Sequence, residues 1–405
     1  MTQLRALGLV ALGALLSGLT ACGADDSAPG SDDFDAVRPS DSPATSTSLG
    51  AKAPSSEGSA YDGDELVAAD PRAPAAGSTS TGAAAEGVPA APYDTGTDRI
   101  AEPPPSPNPL GAGTLTAGTW DDNRNITRFL DYRQHLHDQP MSGLLDFAPA
   151  EHTAAQARTQ SAAHTTLDIS LVIDTTGSMG DELRYLQTEF TALSATIEAK
   201  YPGAEQRWSL VAYRDRGDDY TTRPFDFETD PQVFRQHLAD QSSGGGGDFP
   251  EAPDAAFADM NQFSWRADGA TARLAFWVAD APHHDDKAAA LKSAISTAQA
   301  QGVHIYPVAS SGVDELTELT MRSAAQLTGG RYLFLTNDSG VGGDHKEPSI
   351  PCYFVTKLDD AILRMVDIEM TGVYREPAAA EVIRAGGDPQ NGACVLESGQ
   401  TVYVF

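Results

Sequence analysis

The chain has 405 residues and a large excess of acidic side chains, with 57 Asp and Glu against 27 Lys and Arg and a formal net charge of −30. Proteins that bind nucleic-acid phosphates rely on clustered basic residues, so this balance argues against a nucleic-acid partner. At roughly 150 residues per domain the length allows two or three domains, but the uneven composition predicts a smaller folded part.

Residues 1–22 have the features of an export signal. Arg5 precedes an apolar run from Ala6 to Leu19, which is shorter than the roughly 20 residues of a membrane-spanning helix. The run ends in the tetrapeptide Leu-Thr-Ala-Cys, which resembles the bacterial lipobox. The resemblance implies that Cys22 becomes a lipid-carrying N-terminus and anchors the protein in the cell envelope, at an outer membrane or the cell surface. An ordinary signal peptide with a chance cysteine is the alternative.

Residues 23–112 consist mainly of Ala, Ser, Gly, Pro, Asp and Thr, with hardly any large apolar side chain. Such a composition buries too little apolar surface to offset the entropy of ordering, so we predict a disordered tether. Apolar residues return between 113 and 165. There Trp120, Ile126, Phe129 and Tyr132 predict a short amphipathic extension that packs on the following domain.

From residue 166 to 368 strand and helix patterns alternate. Apolar runs predict strands at Leu167–Ile173, Trp208–Tyr213, Leu274–Ala279, Val303–Val308 and Tyr332–Leu335. Helices are predicted from the stripe Leu183, Leu186, Phe190, Leu193 and Ile197 and at Pro231–Ala239, Pro250–Phe263, Asp286–Ala300 and Asp314–Leu327.

This alternation predicts an α/β fold, namely a doubly wound, mostly parallel central sheet with helices on both faces. Apolar residues between Leu358 and Val366 predict one more covering helix. Residues 369–405 are expected to form a C-terminal extension of short strands.

Three loops at the predicted carboxyl ends of strands carry acidic and hydroxyl side chains. In open parallel sheets, ligands bind at this edge. The first loop runs from Asp174 to Ser178 after the first strand. The second is a run of four glycines that leads to Asp248 and Glu251, and the third contains Asp280.

These loops, in this order, resemble the metal-ion-dependent adhesion site of von Willebrand factor A domains. Asp174, Thr176 and Ser178 stand in the Asp-x-Ser-x-Ser pattern of that site, with threonine for the first serine. The second loop is similar to the Gly-Gly-Gly-Asp-x-Pro-Glu motif of one branch of the family, found in many bacterial secreted proteins. The resemblance implies that these three residues, Asp248 and Asp280 bind one divalent cation.

Mg²⁺ takes carboxylate, hydroxyl and water oxygens, so it suits these residue types, with Mn²⁺ or Ca²⁺ as alternatives. The resemblance covers about residues 167–335 and implies a non-enzymatic module that uses the cation to bind a protein or other acidic ligand at the envelope. Asp248 replaces the threonine of integrin-like domains. This extra carboxylate should hold the cation more tightly but leave it less attractive to a ligand carboxylate.

Simpler explanations compete with this site. The polar residues of the three loops could merely cap helices, because Asp, Ser and Thr favour helix N-termini. A cation that only stabilises the domain is a second possibility. A metal-dependent hydrolase that uses the same acidic residues is a third, although no separate general acid or base is evident.

Other patterns near these loops are less specific. Thr176–Gly180 comes close to a nucleophile elbow but lacks its first glycine. The adjacent His283 and His284 lack the spacing of a helical zinc pair. The acidic residues at 215, 218 and 219 form either a second cation site or an exposed acidic turn.

Two cysteines, Cys352 and Cys394, remain once Cys22 is assigned to the lipid. In an exported protein a single remaining pair favours a disulfide, which would join the C-terminal strands to the main domain. Two separate buried thiols are the alternative.

We predict that Cys22 is acylated and that residues 1–21 are removed. Mass spectrometry of the mature protein should find a lipid-modified N-terminal peptide that begins at Cys22, because the lipobox cysteine receives the lipid before cleavage. Cys22→Ser removes the thiol and should leave an unmodified precursor. An unmodified N-terminus at any other residue would contradict the prediction.

Overall fold

The computed structural model describes residues 114–158 and 163–404. The predicted export signal, Cys22 and the tether at 23–112 lie outside these ranges. The segment boundaries predicted above therefore stay predictions. In the described ranges, none of the helices is both long and apolar enough to cross a membrane.

A nine-stranded sheet lies at the centre of the described residues. Its strands, in spatial order, are β4 (Thr222–Glu228), β3 (Gln206–Tyr213), β2 (Thr166–Asp174), β5 (Thr271–Ala279), β6 (His304–Ala309), β7 (Tyr332–Leu335), β1 (Thr116–Trp120), β8 (Tyr353–Lys357) and β9 (Arg384–Gly386). Pairs among β3, β2, β5, β6 and β7 are parallel. The remaining pairs are antiparallel. The predicted mostly parallel sheet is confirmed.

Helices cover both faces of this sheet, as predicted. They are α1 (Ile126–His137), α2 (Pro149–Arg158), α3 (Gly180–Lys200), α4 (Pro231–Ala239), α5 (Pro253–Met260), α6 (Ala288–Ala300), α7 (Glu315–Thr328) and α8 (Leu358–Thr371). Phe276 of β5 packs against Phe190 of α3, and its neighbour Trp277 packs edge-on against Phe257 of α5. Successive strand residues point to opposite faces, so α3 and α5 lie on opposite sides.

Helix α3 forms where the apolar stripe predicts it. The five stripe residues from Leu183 to Ile197 are all buried. Each such side chain contributes about 1.5–3 kcal/mol when it is fully removed from water. The stripe therefore fixes α3 against the sheet, with its N-terminus directly after the loop that follows β2.

Helix α5 is shorter than the predicted Pro250–Phe263 at both ends, since it begins at Pro253 and ends at Met260. A proline fits the first turn of a helix, and the residue before a proline is disfavoured in the helical conformation. Ala252 accordingly has φ −110° and ψ 51°. Residues 250–252 stay in the loop, which leaves Glu251 at the edge of the sheet.

Strand β1 occupies a central place that the sequence pattern did not predict. All five residues from Thr116 to Trp120 are buried between β7 and β8. Gly118 lies opposite Phe334, and a Cβ atom at this position would come within 2.1 Å of the Phe334 ring. Gly118 is required because the strand passes beneath the Phe334 ring, and the small or polar residues 116–119 hide the strand from apolar periodicity.

A buried ion-pair network holds this N-terminal segment to α7. Arg322 donates hydrogen bonds to both carboxylate oxygens of Asp122, at 2.7 and 3.0 Å, and to Glu318 at 2.9 Å. The indole of Trp120 donates to the same Asp122 carboxylate. Removing one partner of such a network leaves an uncompensated buried charge, which typically costs about 3–5 kcal/mol.

The C-terminal residues form short strands, including the hairpin of β10 (Ala393–Val395) and β11 (Thr401–Tyr403). Cys352, just before β8, forms a disulfide with Cys394 of β10. The Asn125 side chain also exchanges two hydrogen bonds with the backbone of Tyr403, each 2.9 Å long. The hairpin is thus attached both to the end of the sheet and to the N-terminal segment.

We expect the Cys352–Cys394 disulfide to stabilise the folded domain. The two cysteines are 42 residues apart, and cross-links that close loops of this size typically stabilise by about 2–4 kcal/mol. The double substitution Cys352→Ser, Cys394→Ser should lower the free energy of unfolding in urea by this amount. Val395→Ser, at a neighbouring residue that is 75% exposed, is the control and should change it by less than about 0.5 kcal/mol.

Non-reducing peptide mapping provides the direct check on this disulfide. It should recover one peptide pair that contains both cysteines. Two thiols that are alkylated without prior reduction would rule the pairing out.

Candidate metal centre

Four of the five predicted ligands meet at one edge of the sheet. Asp174 is the last residue of β2, and Asp280 directly follows β5. These strands pair in parallel, with Ile173 opposite Val278, so both carboxylates leave the sheet at the same edge. Thr176 and Ser178 lie in the loop that joins β2 to α3, next to Asp174.

The first loop is organised around the Asp174 carboxylate. Its Oδ1 atom accepts hydrogen bonds from the Thr176 backbone N–H, at 2.8 Å, and from the Thr176 hydroxyl, at 2.6 Å. The hydroxyl oxygens of Thr176 and Ser178 are 3.2 Å apart. Thr176 is buried, whereas Ser178 is exposed. The loop therefore forms a line of oxygen atoms from the buried carboxylate to the surface.

One oxygen of each carboxylate has no hydrogen-bond partner. The Oδ2 atom of Asp174 and the Oδ1 atom of Asp280 are both buried and unpaired. Burial and the nearby Asp280 charge raise the pKa of Asp174 to about 7, although the Thr176 and Tyr213 side chains partly offset this. Burial raises the pKa of Asp280 to about 6, against a lowering by the Ser178 hydroxyl. Two acids are thus held close together, and no basic side chain is among the described groups that affect them most strongly.

These side chains fit a small, hard cation. Mg²⁺ binds carboxylate and hydroxyl oxygens and usually keeps several waters, so it needs few protein ligands. Within the described residues, no three His, Cys, Asp or Glu side chains converge as a ready-made metal cluster. Hydroxyl oxygens and water would therefore have to complete the shell around Asp174 and Asp280.

In the second loop, the predicted ligand Asp248 and the nearby Glu251 lie in different environments. Asp248 is exposed, together with its neighbour Phe249, which is 49% exposed. Glu251 is only 2% exposed, and its Oε2 atom is buried without a partner. Burial, followed by the charges of Asp174 and Asp215, raises the pKa of Glu251 to about 9. Glu251, which the sequence motif did not assign to the site, is the buried acid of this loop.

The glycine run lies directly against the first loop. The Gly244 N–H donates to the Thr175 carbonyl at 3.0 Å, and the Gly177 N–H donates to the Gly245 carbonyl at 3.3 Å. Gly246 has φ +71°, and a Cβ atom there would come within 3.1 Å of both Thr176 and Glu251. This position requires glycine because its φ is positive and because a side chain would crowd Thr176 and Glu251.

The acidic residues at 215–219 have separate partners. Asp215 is buried and contacts His284 at 2.5 Å, while Asp218 accepts the Gly246 N–H at 2.9 Å. The Asp219 side chain is 87% exposed and lies 3.8 Å from Arg214. The three carboxylates therefore face different groups, which does not support a second cation site among them.

The arrangement around Ser178 also differs from a serine nucleophile with a histidine base. His283 contacts the Gly143 carbonyl at 2.8 Å, and His284 contacts Asp215. The Ser178 hydroxyl instead contacts Thr176 and Asp280. Ser178 is thus positioned as a hydroxyl ligand would be.

Two further side chains that sequence reasoning missed border the site. Tyr213 lies opposite Asp174 in the β2–β3 register, and its hydroxyl accepts a 3.0 Å hydrogen bond from the Trp277 indole. Glu182 of α3 is buried against His345, at 3.0 Å, and its charge raises the pKa of Asp280. The end of the predicted strand at Tyr213 was a usable signal for the first residue. Nothing in the local sequence pointed to the second.

We predict that Asp174 destabilises the metal-free domain at neutral and higher pH. Its pKa of about 7 exceeds the value of about 3.9 in an unfolded chain, so the folded state loses stability as pH rises between these values. In the presence of a chelator at pH 8, Asp174→Asn should raise the free energy of unfolding by on the order of 2 kcal/mol. At pH 4 the gain should vanish.

Urea unfolding at both pH values provides the test, with Asp219→Asn as the control. The Asp219 carboxylate is exposed, so its removal should have little effect at either pH. Equal destabilisation by Asp174→Asn at pH 4 and pH 8 would show that the carboxylate has a structural role instead.

Part of the chain is similar in sequence to known proteins. Residues 168–340 match the family model described as von Willebrand factor A domain. The chain is 31% identical over 135 residues to human von Willebrand factor A domain-containing protein 7, an alignment that covers 31% of this chain and 12% of the human protein.

Two solved structures resemble part of the fold. The pilus adhesin SpaC from Lactobacillus rhamnosus GG has 13% sequence identity and a TM-score of 0.34 over 42% of this chain and 28% of SpaC. The protein BatB from Bacteroides thetaiotaomicron has 11% identity and a TM-score of 0.30 over 42% of this chain and 89% of BatB. Residues 168–340 thus match a von Willebrand factor A domain in sequence, and they contain the parallel strands of the sheet.

Proposed function

We propose that the von Willebrand factor A domain is a binding module that coordinates one divalent cation and uses it to bind a protein or other acidic ligand. The observation that carries this proposal is the pair of buried, unpaired carboxylate oxygens of Asp174 and Asp280. Burying charged groups without partners is costly, and paired charges or bound metals normally compensate for them. A divalent cation between these carboxylates would remove that cost.

Mg²⁺ is the cation that the donor types suit best, with Mn²⁺ and Ca²⁺ as the alternatives. Asp174, Thr176, Ser178 and Asp280 are the proposed ligands from the first and third loops, and the second loop adds Asp248 in the sequence prediction. When bound, the cation supplies a positive centre for a ligand oxygen. Ser178 is exposed, so this centre would be accessible from solution.

The surroundings of the site set a second condition on the partner. Asp219, Asp248, Asp285 and Asp286 are all exposed in the neighbouring loops, where Arg214 and Lys287 offset only the first and the last of these charges. An acidic rim repels a uniformly acidic surface, while complementary charges favour association. The partner proposed here therefore presents one carboxylate or other oxygen to the cation, surrounded by basic or neutral residues.

The predicted lipid anchor would place this module at the cell envelope. A lipid on Cys22 and a flexible tether over 23–112 would hold the folded domain away from the membrane, where a protein partner can reach it. Lipidation and location at the outer membrane or cell surface are part of this proposal.

The cation is tested by calorimetry on the purified full-length chain. We expect the wild type to bind one Mg²⁺ per chain. Asp174→Asn should weaken binding by at least about 100-fold, because even residues that only support metal ligands contribute 10–100-fold. Asp215→Asn is the matched control, since Asp215 is also buried nearby but is paired with His284. The Mg²⁺ affinity of this variant should stay within about 3-fold of wild type.

Partner binding is tested by capture from an envelope extract, with and without a chelator. The proposal expects the wild type to retain a defined partner in Mg²⁺ and to release it when the chelator is added. Asp174→Asn should not retain this partner. Ester, phosphate and peptide probes should show no metal-dependent turnover. Turnover that disappears in Asp174→Asn would replace the binding module with a hydrolase.

A further inference from the structure

The glycine loop carries two acids, Asp248 and Glu251, and the choice between them determines the composition of the cation site. The sequence motif favours Asp248, because it directly follows the glycine run. In the structure the two residues have opposite environments, although they are only three positions apart.

Glu251 is enclosed with one carboxylate oxygen unpaired. Its side chain is 2% exposed, and Oε2 is buried without a hydrogen-bond partner. The charges that act on it include both Asp174 and Asp280, the two carboxylates already assigned to the site. No basic side chain is among the groups that act on it most strongly. The ionised form of a buried acid in this position needs a positive partner, and none is among the described groups that affect it most strongly.

The backbone holds Glu251 between the first and third loops. Its N–H donates to the Pro282 carbonyl at 2.8 Å, and it forms an isolated parallel bridge with His283, three residues after Asp280. On the other side, Gly246 occupies the narrow space between Thr176 and the Oε1 atom of Glu251. Glu251 therefore lies among the loops that carry the other ligands, with only a glycine between it and Thr176.

Asp248 shows none of these features. It is exposed and lies beside the exposed Phe249. An exposed carboxylate is solvated by water and does not need a cation for compensation. Its position is suited to contact with a partner.

We infer that Glu251, and not Asp248, is the carboxylate that the glycine loop contributes to the cation site. This inference rests on the proposed function, because it assumes that a cation binds. Mg²⁺ usually keeps several waters, so Glu251 can act on the ion across a water and does not have to touch it. Glu251 would then supply a third negative charge beside Asp174 and Asp280, through water, and Asp248 belongs to the exposed acids around the site.

Calorimetry with Mg²⁺ and with Mn²⁺ on the full-length chain tests this assignment. Glu251→Gln keeps the shape of the side chain and removes its charge. It should weaken the binding of both cations by at least about 10-fold. Asp248→Asn is the matched control, since it makes the same chemical change three residues earlier. Its cation affinity should stay within about 2-fold of wild type.

Thermal unfolding in a chelator separates a cation-binding role from a structural one. If Glu251 belongs to the cation site, the metal-free Tm of Glu251→Gln should be higher than that of wild type or within about 5 °C of it. The increase in Tm on adding Mg²⁺ should be smaller than for wild type. A larger fall of the metal-free Tm would make Glu251 a structural residue and overturn the inference.

The remaining outcomes are equally decisive. If Asp248→Asn weakens cation binding by 10-fold or more and Glu251→Gln does not, the assignment is reversed in favour of the sequence motif. A wild-type chain that binds neither cation would refute the proposed function itself. A wild type that binds, with Glu251→Gln unchanged, would refute only this inference.

Discussion

The parallel pairing of β2 with β5 is the constraint on which the candidate site depends. Parallel strands end at the same edge of a sheet, so their register decides which side chains meet there. With Ile173 opposite Val278, Asp174 and Asp280 leave the sheet side by side. A shift of one residue would turn every side chain of the strand to the other face, and the buried residues on both faces prevent it. The apolar core thus fixes the position of the polar site.

Electrostatic energy at this edge opposes the fold. Asp174, Asp280 and Glu251 are buried with unpaired oxygens, and burial raises the pKa of each. Neutral side chains of similar size would stabilise the metal-free domain, so this arrangement is costly unless a cation compensates for it. The same repulsion that destabilises the metal-free domain would favour a divalent cation. In the proposed function, stability and cation binding are therefore coupled through the same few carboxylates.

The described fold extends beyond the residues that match the von Willebrand factor A family model. The match at 168–340 includes β2 to β7, whereas β1 and β8 come from the flanking segments and complete the sheet. Buried contacts between Arg322 and Asp122 hold the N-terminal flank, and the disulfide between Cys352 and Cys394 holds the C-terminal hairpin. Segments on both flanks of the family match therefore complete this half of the sheet.

The sequence by itself determined the α/β architecture, because apolar periodicity reports directly which side of a strand or helix is buried. It also identified the loops that carry the candidate ligands, since the first loop and Asp280 directly follow buried strands, and the glycine run lies between α4 and α5. It did not reveal β1, whose first four residues are small or polar and are buried only because β7 and β8 enclose them. Nor did it distinguish Asp248 from Glu251. That distinction depends on the proline-determined start of α5 and on the backbone contact between Glu251 and Pro282, which exist only once the three loops are packed together.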